Sequence, residues 1–293
     1  MNTRVMDEAP ARRSCINEPA DAAVPDDHES LPRMDDLGRD LLSTTPWQRR
    51  MALLRPAMGL AVYALAIHYH LWFLAPLIIF WIFVAVVTVT HDIVHGTIGL
   101  NARQTEWGLF FMGVFLLESG HAYRATHQQH HRVFPGPDDP EGDPARLTTL
   151  QSILWGPVFI PKLWLWSFRR MHGNAAQQRW LAVEAAMHIA AVIASAAVWR
   201  TAPGVALYVA GVVVGSWVYP LLTVHLPHKD YGDTELTQTH TLRGVVIPAI
   251  FLELTYHLEH HLYPQVPSHN LPKLAKRLDP FFERSGVEPW HVP

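Results

Sequence analysis

The chain has 293 residues, of which 49% are hydrophobic and 17% are charged, and its formal net charge is −3. This balance argues against a nucleic-acid partner, because such proteins usually carry a basic surplus. The single cysteine, Cys15, excludes a disulfide scaffold, a cysteine zinc site and a cysteine-ligated iron–sulfur cluster. Histidine is the unusual residue, with 19 copies that cluster along the chain. The composition therefore indicates a membrane protein with a metal site made of nitrogen ligands.

Residues 1–45 are rich in Pro, Asp, Glu, Arg and Ser and show no apolar periodicity. Such a segment buries too little apolar surface to offset the entropy lost on ordering, so we predict a disordered N-terminal tail. It lacks the basic start, apolar run and small-residue cleavage site of a secretory signal. We therefore expect the N-terminus to stay in the cytoplasm and the folded domain to cover residues 46–293.

Four apolar segments follow, each close to the roughly 20 residues that a helix needs to cross a bilayer. They cover residues 51–68, 71–90, 180–199 and 204–224. Short turns join them in pairs, so we predict an all-α integral membrane protein with two transmembrane hairpins. Glu184 and His188 lie in the third segment, where ionisable groups are costly unless they face protein or water. Two shorter apolar stretches, 108–117 and 245–254, predict re-entrant or interfacial helices.

Basic residues are distributed unevenly between the two sides that these spans define. The loops on one side hold Arg49, Arg50, Arg103, Arg124, Arg132, Arg169, Arg170, Lys229 and Lys273. The turns on the other side hold Arg200. Because cytoplasmic loops carry the excess of Lys and Arg, we expect both termini and most of the polar sequence on the cytoplasmic side.

Three histidine motifs lie next to the predicted cytoplasmic ends of the apolar segments. HDIVH ends the second span, HQQHH follows the first short stretch, and HLEHH follows the second. Residues four apart on a helix share a face, so His91 and His95 can point at one metal ion. In each triplet the first and second histidines share a face, and the third is rotated by roughly 100° from the second. We therefore predict a cytoplasmic helical cap with two neighbouring metal ions.

The pattern H-x3-H, H-x2-H-H, H-x2-H-H resembles the membrane fatty-acid desaturase superfamily, which includes acyl desaturases and hydroxylases and carotenoid hydroxylases and ketolases. The resemblance extends over residues 51–280 and includes the phrase HLYPQVPSHNLPKL after the third motif. It implies two non-haem iron ions, O2 as co-substrate and a separate electron donor of the ferredoxin or cytochrome b5 type. The implied ligands are His91, His95, His127, His130, His131, His257, His260, His261 and, by its position after the last span, His228.

Carboxylates beside ligand histidines are expected to fix the tautomers of the rings. Asp92 and Glu259 lie inside the motifs and are the first candidates for this role. Arg124, which matches the arginine before the second motif in the family, is placed in the same outer layer. A further candidate, with a solvated loop as the equal alternative, is the acidic run Asp138, Asp139, Glu141 and Asp143.

Other histidines near the motifs are interpreted individually. His121 begins the approach to the second motif and is not expected to be a ligand. His225 and His240 lie near His228 and are weaker ligand candidates. For His188, inside the third span, a hydrogen bond between helices is the first interpretation.

The function that these features indicate is O2-dependent oxidation of a long apolar lipid chain in the bilayer, because a metal pair supplies an oxidant that side chains cannot. A fatty acyl desaturase of lipid metabolism is the first interpretation. The motif HDxxHG, the LPH at 226–228 and the DDPEGDP at 138–144 resemble carotenoid ketolases and hydroxylases, which are the alternative. A membrane metal carrier is the alternative of another class, but the second and fourth spans offer it few polar residues.

Overall fold

The structure is a computed structural model that describes residues 30–293, and its contacts group Pro32–Pro293 as one unit. The helices of this unit are α1 (Met34–Leu37), α2 (Pro46–His68), α3 (Ala75–Val94), α4 (Ala102–Leu116), α5 (Gly120–Val133), α6 (Thr149–Arg170), α7 (Ala175–Ala197), α8 (Pro203–Pro220), α9 (Val246–Ile250), α10 (His257–Leu262) and α11 (Leu271–Arg284). Strands β1 (Leu242–Arg243) and β2 (Trp290–His291) pair in parallel, with Leu242 opposite Trp290. Short 3-10 turns cover Arg39–Leu42, Trp72–Leu74, Asp143–Arg146 and Ser268–Asn270, and a π-helical turn covers Leu221–His225.

Within residues 30–293, four helices are long and apolar enough to cross a membrane, which confirms the predicted number. They cover Pro46–His68, Trp72–Val94, Ala175–Ala197 and Pro203–His225. Two of them begin earlier than the apolar run alone indicates. The Thr45 hydroxyl accepts a hydrogen bond from Gln48 N, and the Asn174 side chain accepts one from Gln177 N. These N-caps allow polar residues to form the first turns of α2 and α7.

The surfaces of these helices carry many exposed large apolar side chains. Examples from the first two are Leu54, Leu65, Phe73 and Leu77, and examples from the last two are Ile189, Ile193, Val205 and Val214. Apolar surface of this extent is unfavourable in water and favourable against lipid tails. It therefore supports the assignment of these helices as membrane spans.

Helix α3 is the most buried of the four and forms the centre of the core. Its residues Ile82, Val86 and Val89 belong to one apolar cluster with Leu109 of α4 and Phe159 of α6. The last turn of α3 carries the motif HDIVH, which is buried along with it. Packing of α3 on several sides thus fixes the direction of the first histidine motif.

Two glycines allow close helix crossings near the centre. A Cβ atom at Gly120 would collide with the carbonyl of Leu109, and one at Gly156 would collide with the carbonyl of Trp217. Gly120 begins α5, so its missing side chain allows the helix of the second histidine motif to start directly against α4. The missing side chain of Gly156 likewise allows α6 to pack closely against α8.

Three segments form helices whose lengths or positions differ from those predicted from the sequence. The stretch 108–117 belongs to the longer helix α4, because Asn101 and Gln104 form a capping box before its polar first turns. Only part of the stretch 245–254 is helical, as α9, and Leu252 and Glu253 follow with φ of 50° and 70°. Helix α6, with 22 residues, was not assigned from the sequence, since Lys162 and two prolines interrupt its apolar pattern.

The predicted disorder of residues 1–45 is wrong for its last part, and residues 1–29 lie outside the described chain. Leu41 is fully buried, and Leu37 is 5% exposed. The Asn270 side chain donates to the Leu41 carbonyl at 2.9 Å, and the Arg277 guanidinium pairs with Asp40 at 2.7 and 2.8 Å. Two leucines therefore suffice to dock this polar segment against α11, which the average composition could not indicate.

Candidate metal centre

Four segments bring together the nine histidines implied as ligands. The last turn of α3 supplies His91, and the residue that caps this helix is His95. Helices α5 and α10 supply one H-x2-H-H triplet each, and His228 follows the π-helical turn after α8. Rings of the two triplets, which are far apart in sequence, pack against each other, as the ring contacts between His127 and His260 and between His131 and His261 show.

The larger group, called the five-histidine cluster, consists of His91, His95, His127, His131 and His260. One ring nitrogen of each residue lies within 4.8 Å of those of all the others. The Nε2 atom of His260 is 2.9 Å from the Nε2 atoms of both His91 and His131. The Nε2 atoms of His131 and His127 are 3.2 Å apart. All five rings thus surround one small volume.

The second group, called the four-histidine cluster, consists of His130, His228, His257 and His261. The nitrogens of His130, His228 and His261 lie within 4.8 Å of one another. The Nε2 atom of His257 is 3.1 Å from the Nε2 atoms of both His228 and His261. The sequence expectation of two neighbouring sites therefore has a matching arrangement of rings.

The triplets divide between the clusters in a way that the sequence analysis did not predict. His127 and His131 lie in the five-histidine cluster, and His130 lies in the other. In the third motif His257 and His261 are neighbours, and His260 is the residue that joins the five-histidine cluster. The pairing of the first with the second histidine was therefore wrong. Residues four apart differ by about 40° around a helix and residues three apart by about 60°, so the first and third rings align better.

The distances between ring nitrogens fit bound cations better than a network of hydrogen bonds. In each cluster, three successive Nε2–Nε2 contacts of 2.9 to 3.2 Å join four rings. An Nε2 atom carries either one proton or one lone pair, so it can complete one good hydrogen bond and not two. Successive contacts therefore cannot all be hydrogen bonds, whereas a metal ion accepts a lone pair from every ring at once. The nitrogen-only donor set suits iron, zinc, copper or nickel.

Burial also prepares most of these rings for coordination. It lowers the pKa of His95 to about 2 and that of His257 to about 3, with the charges of neighbouring histidines adding to the effect. For the same reasons the pKa lies well below its ordinary value for His127, His131, His228, His260 and His261. Neutral imidazole is the form that binds metal. At His130 burial acts in the same direction, but the hydrogen bond and charge of Asp139 outweigh it and raise the pKa.

The acidic run after α5 supplies the carboxylates that orient these rings. His130 Nδ1 donates to Asp139 Oδ2 at 2.7 Å, and His127 Nδ1 donates to Glu141 Oε2 at 3.2 Å. The other oxygen of Glu141 accepts a hydrogen bond from Thr126 at 2.6 Å. Both carboxylates are at least 96% buried, so the solvated-loop interpretation does not hold for them. With Nδ1 protonated, each of these rings presents its Nε2 lone pair to its cluster.

The first candidates for this outer role have other partners. Asp92 Oδ1 accepts hydrogen bonds from the amide and hydroxyl of Ser268, and it lies 3.8 Å from His91 Nδ1, beyond hydrogen-bond distance. Glu259 accepts from the Arg243 guanidinium at 2.9 Å. A helical residue next to a ligand points about 100° away from it, so neither carboxylate has a hydrogen bond to a ligand histidine, and their outer role stays a prediction.

Arg124 likewise lies outside the metal centre. Its guanidinium donates to Glu106 at 2.6 Å and to Gln177 at 2.8 Å. These partners belong to α4 and α7, so Arg124 connects helices instead of contacting a ligand histidine through a hydrogen bond. The family-based placement of this residue in the outer layer is therefore not supported by its contacts.

The remaining histidines near the motifs lie in structural contacts. His121 is held between Glu184 at 2.7 Å and Glu106 at 3.1 Å, and its ring stacks on Trp180. His225 contacts Thr149 at 3.0 Å and the Pro144 carbonyl at 2.9 Å. These contacts occupy both ring nitrogens of His121 and of His225.

Two further histidines also lie outside both clusters. His240 contacts the Lys229 carbonyl and stacks on Trp290. Among the described residues, both ring nitrogens of His188 are buried without a hydrogen-bond partner. The expected hydrogen bond between helices is therefore not formed by His188, although Trp164 packs against its ring.

An apolar cavity of about 280 Å³ borders both clusters. Its apolar wall comes from α3, the end of α8 and the segment around α9, with Phe83, Val87 and Phe251 as examples. His127 of one cluster and His130 of the other reach the cavity. Near β2, the stacked rings of His240 and Trp290 form part of its lining. No local sequence pattern predicts this cavity, because its lining residues come from many separate segments.

These features define an integral membrane protein with a histidine-rich site at an apolar cavity. The family model for fatty acid desaturases matches residues 67–293, and the chain belongs to this family. Over 207 residues it is 25% identical to the human sphingolipid delta(4)-desaturase/C4-monooxygenase DES2. The aligned region covers 68% of this chain and 62% of that protein. Over 67 residues it is 30% identical to an acyl-lipid (9-3)-desaturase of Physcomitrium patens, covering 22% of this chain and 13% of that protein. The chain thus matches less than two thirds of the length of either relative.

Proposed function

We propose that the chain is an O2-dependent di-iron oxidoreductase that acts on a long apolar lipid chain, in the first place as a fatty acyl desaturase. The observation that carries this proposal is the position of two histidine clusters at the wall of one apolar cavity. An unactivated methylene needs a strong oxidant beside a dry, shaped binding site. The family and the names of both relatives, which contain the word desaturase, support the same chemistry.

The residues of this chain have separate parts in the proposed reaction. Phe83, Val87 and Phe251 hold the lipid chain by apolar contact and exclude water from it. The nine histidines hold two iron ions, and Asp139 and Glu141 keep two of the rings in the required tautomer. Iron bound there supplies the oxidant formed from O2 and electrons. No catalytic residue separate from the ligands is part of this proposal.

The proposed arrangement in the bilayer follows the distribution of charge. Helices α2 and α3 form one transmembrane hairpin and α7 and α8 the other, beneath a helical cap that holds the metal centre. The excess of Lys and Arg in the loops on one side supports a cytoplasmic position for this cap and for both termini. Electrons then come from a separate cytoplasmic donor of the ferredoxin or cytochrome b5 type.

The test combines metal content, oxygen uptake and lipid products. Purified protein is expected to hold about two iron ions per chain, and membranes that contain it with a reduced donor are expected to consume O2 and to gain double bonds in their acyl chains. The His260→Ala variant, analysed in parallel, is expected to show neither product nor oxygen uptake while still inserting into the membrane.

Other results would replace the proposal by one of its alternatives. Oxygenated carotenoids without new acyl double bonds would identify a carotenoid hydroxylase or ketolase. Tightly bound zinc with no oxygen uptake would identify a membrane metal carrier. Hydroxylated acyl chains would leave the proposed metal centre unchanged and would show that the reaction is a hydroxylation instead of a desaturation.

A further inference from the structure

Glu118 lies in the short connection between α4 and α5, at the border of two small internal cavities. The cavities have volumes of about 30 and 20 Å³. Both are lined by Glu118 together with Ser119, Tyr123 and Tyr219. The connection belongs neither to the four apolar spans nor to the histidine motifs, and the proposed function has so far given this acid no part.

A few polar side chains in the otherwise apolar walls allow these cavities to hold water. A water molecule needs about 10–15 Å³ of such volume and two to four polar partners. Thr90 Oγ1, in the wall of the larger cavity, is buried and has no hydrogen-bond partner within residues 30–293. The Glu118 carboxyl and the two tyrosine hydroxyls supply further partners. Water in this cavity would satisfy the Thr90 hydroxyl, whose burial without a partner is otherwise unfavourable.

Two tyrosines connect this polar region with the metal centre. Tyr123 and Tyr219 line the small cavities and also the large apolar cavity. The two side chains lie beside one another in the walls of these cavities, and the ring of Tyr123 stacks on that of His127 with centroids 4.8 Å apart. Glu118 and the two tyrosines therefore line neighbouring cavities that extend to the wall beside the five-histidine cluster.

The proposed reaction requires such a path, because it consumes protons inside an apolar site. Conversion of CH2–CH2 to CH=CH breaks two C–H bonds and reduces O2 to two molecules of water. The substrate supplies two hydrogen atoms, which amount to two protons and two electrons. The donor protein of the ferredoxin or cytochrome b5 type supplies two more electrons, and the aqueous phase must supply two more protons. Apolar side chains cannot carry these protons, so polar groups and water have to do so.

We propose that Glu118 relays protons to the metal centre through water in the two cavities and the hydroxyls of Tyr123 and Tyr219. This inference rests on the proposed function for the use of the protons. Glu118 acts through the tyrosines and touches neither substrate nor iron, so its role is that of a relay residue.

The electrostatic surroundings of Glu118 suit this role. Burial raises the pKa of its carboxyl to about 8, so the group is protonated at neutral pH and can release and regain a proton. Thr90 of α3 and Trp164 of α6 are its uncharged neighbours in the cavity walls, and the two tyrosines face it from α5 and α8. On the side of α7, Ser119 binds the carboxylate of Glu184, which His121 also contacts.

The first experiment measures the proton on Glu118 without any reaction. Infrared spectra of the metal-free protein are recorded against pH for the wild type, Glu118→Gln and Glu118→Asp. We expect a protonated-carboxyl band that titrates near pH 8, is missing in Glu118→Gln and returns, shifted, in Glu118→Asp. An identical band in the wild type and Glu118→Gln would overturn the proposal.

The second experiment measures turnover, iron content and solvent isotope effect in the same variants. Glu118→Gln is expected to keep its iron and its KM and to lose kcat by about 100-fold, as is typical when a proton donor is removed. Glu118→Asp is expected to recover part of the rate with a shifted pH profile. Unchanged kcat in Glu118→Gln would overturn the relay.

A further variant covers the case in which Glu118→Gln fails to fold. Thr90→Val removes a hydroxyl that has no partner in the described chain, so the fold is expected to survive, and kcat is expected to fall several-fold with a larger solvent isotope effect. A normal rate in Thr90→Val would overturn the proposal that water in this cavity carries the protons. Wild-type protein that shows the carboxyl band and oxidises no lipid would contradict the proposed function and not the protonation of Glu118.

Discussion

The two histidine clusters lie side by side but are held in place by different means. The five-histidine cluster takes all its rings from helices or a helix cap, and two of them come from the deeply buried end of α3. The four-histidine cluster includes His228, which lies in a turn after α8 and is oriented by the Gln238 carbonyl at 2.9 Å. Helices or a helix cap therefore carry every ring of the five-histidine cluster, whereas a turn carries one of the four rings in the other cluster.

The outer partners differ within the clusters as well as between them, since His127 of the five-histidine cluster has Glu141 as a partner. His91 and His260 have buried Nδ1 atoms without hydrogen-bond partners in the part of the chain that the structure describes. His130 and His228 both have an acceptor for Nδ1. A ring on a turn, such as His228, depends more on such a partner for its orientation than a ring on a packed helix does. The comparison indicates that the four-histidine cluster is the more sensitive of the two to substitution.

The largest expected effect comes from removing one ligand from each cluster. His257→Ala leaves three rings in its cluster, while His95→Ala leaves four. Both variants are expected to lose activity, but His257→Ala is expected to lose about one of two iron ions and His95→Ala a smaller share. Elemental analysis of the purified variants measures this difference. Equal loss of iron from both would contradict the contrast between the clusters.

A smaller effect is expected from the carboxylate that orients His130. Asp139→Asn removes the charge that favours the Nδ1 proton and is expected to weaken iron binding or activity by about 10- to 100-fold. Asp138→Asn is the matched control, because Asp138 is exposed and adjacent in sequence. Competition with a chelator measures the affinity. Equal affinities in the two variants would show that Asp139 has no part in holding this ring.

The smallest effect on either cluster is expected from the docked N-terminal segment. Leu41→Ala is expected to lower the free energy of unfolding by about 2–5 kcal/mol, because its side chain is fully buried. Leu42→Ala, at a side chain that is 38% exposed, is the control with a much smaller change. Thermal unfolding in detergent compares the two. Loss of iron from Leu41→Ala, measured below the unfolding temperature, would show that this segment also supports the metal centre.

The sequence predicted which histidines form the site better than it predicted how they divide between the two clusters. The three motifs identified eight of the nine histidines that the structure brings together, because each motif lies on one helix or at its end, and the family resemblance identified His228. The predicted division between the clusters was wrong, because the first and third histidines of a triplet are about 40° apart around the helix and align better than the first and second, which are about 60° apart. Asp139 and Glu141 are buried by the chain reversal after α5, and no local pattern marks which acids of a run become buried.

For the fold, the sequence predicted the four long spans but not where two of them begin, nor helix α6 or the docking of Leu41. Apolar runs identified the four long spans, whereas the N-caps Thr45 and Asn174 moved the starts of two helices. Helix α6 was missed because an interrupted apolar pattern carries little information about a helix packed on other helices. The docking of Leu41 depends on a partner surface on α11, which lies more than 200 residues away and cannot be inferred from the tail itself.

Neighbouring residues of α5 and α10 serve different clusters. His130 and His131 are adjacent, as are His260 and His261, and in each pair one ring belongs to either cluster with centroids 5.8 Å apart. The separation between the two sites is thus set twice by a single peptide unit, the least extensible link in a polypeptide. Loops around the site can change in length during evolution while the spacing of a metal pair held there stays constant.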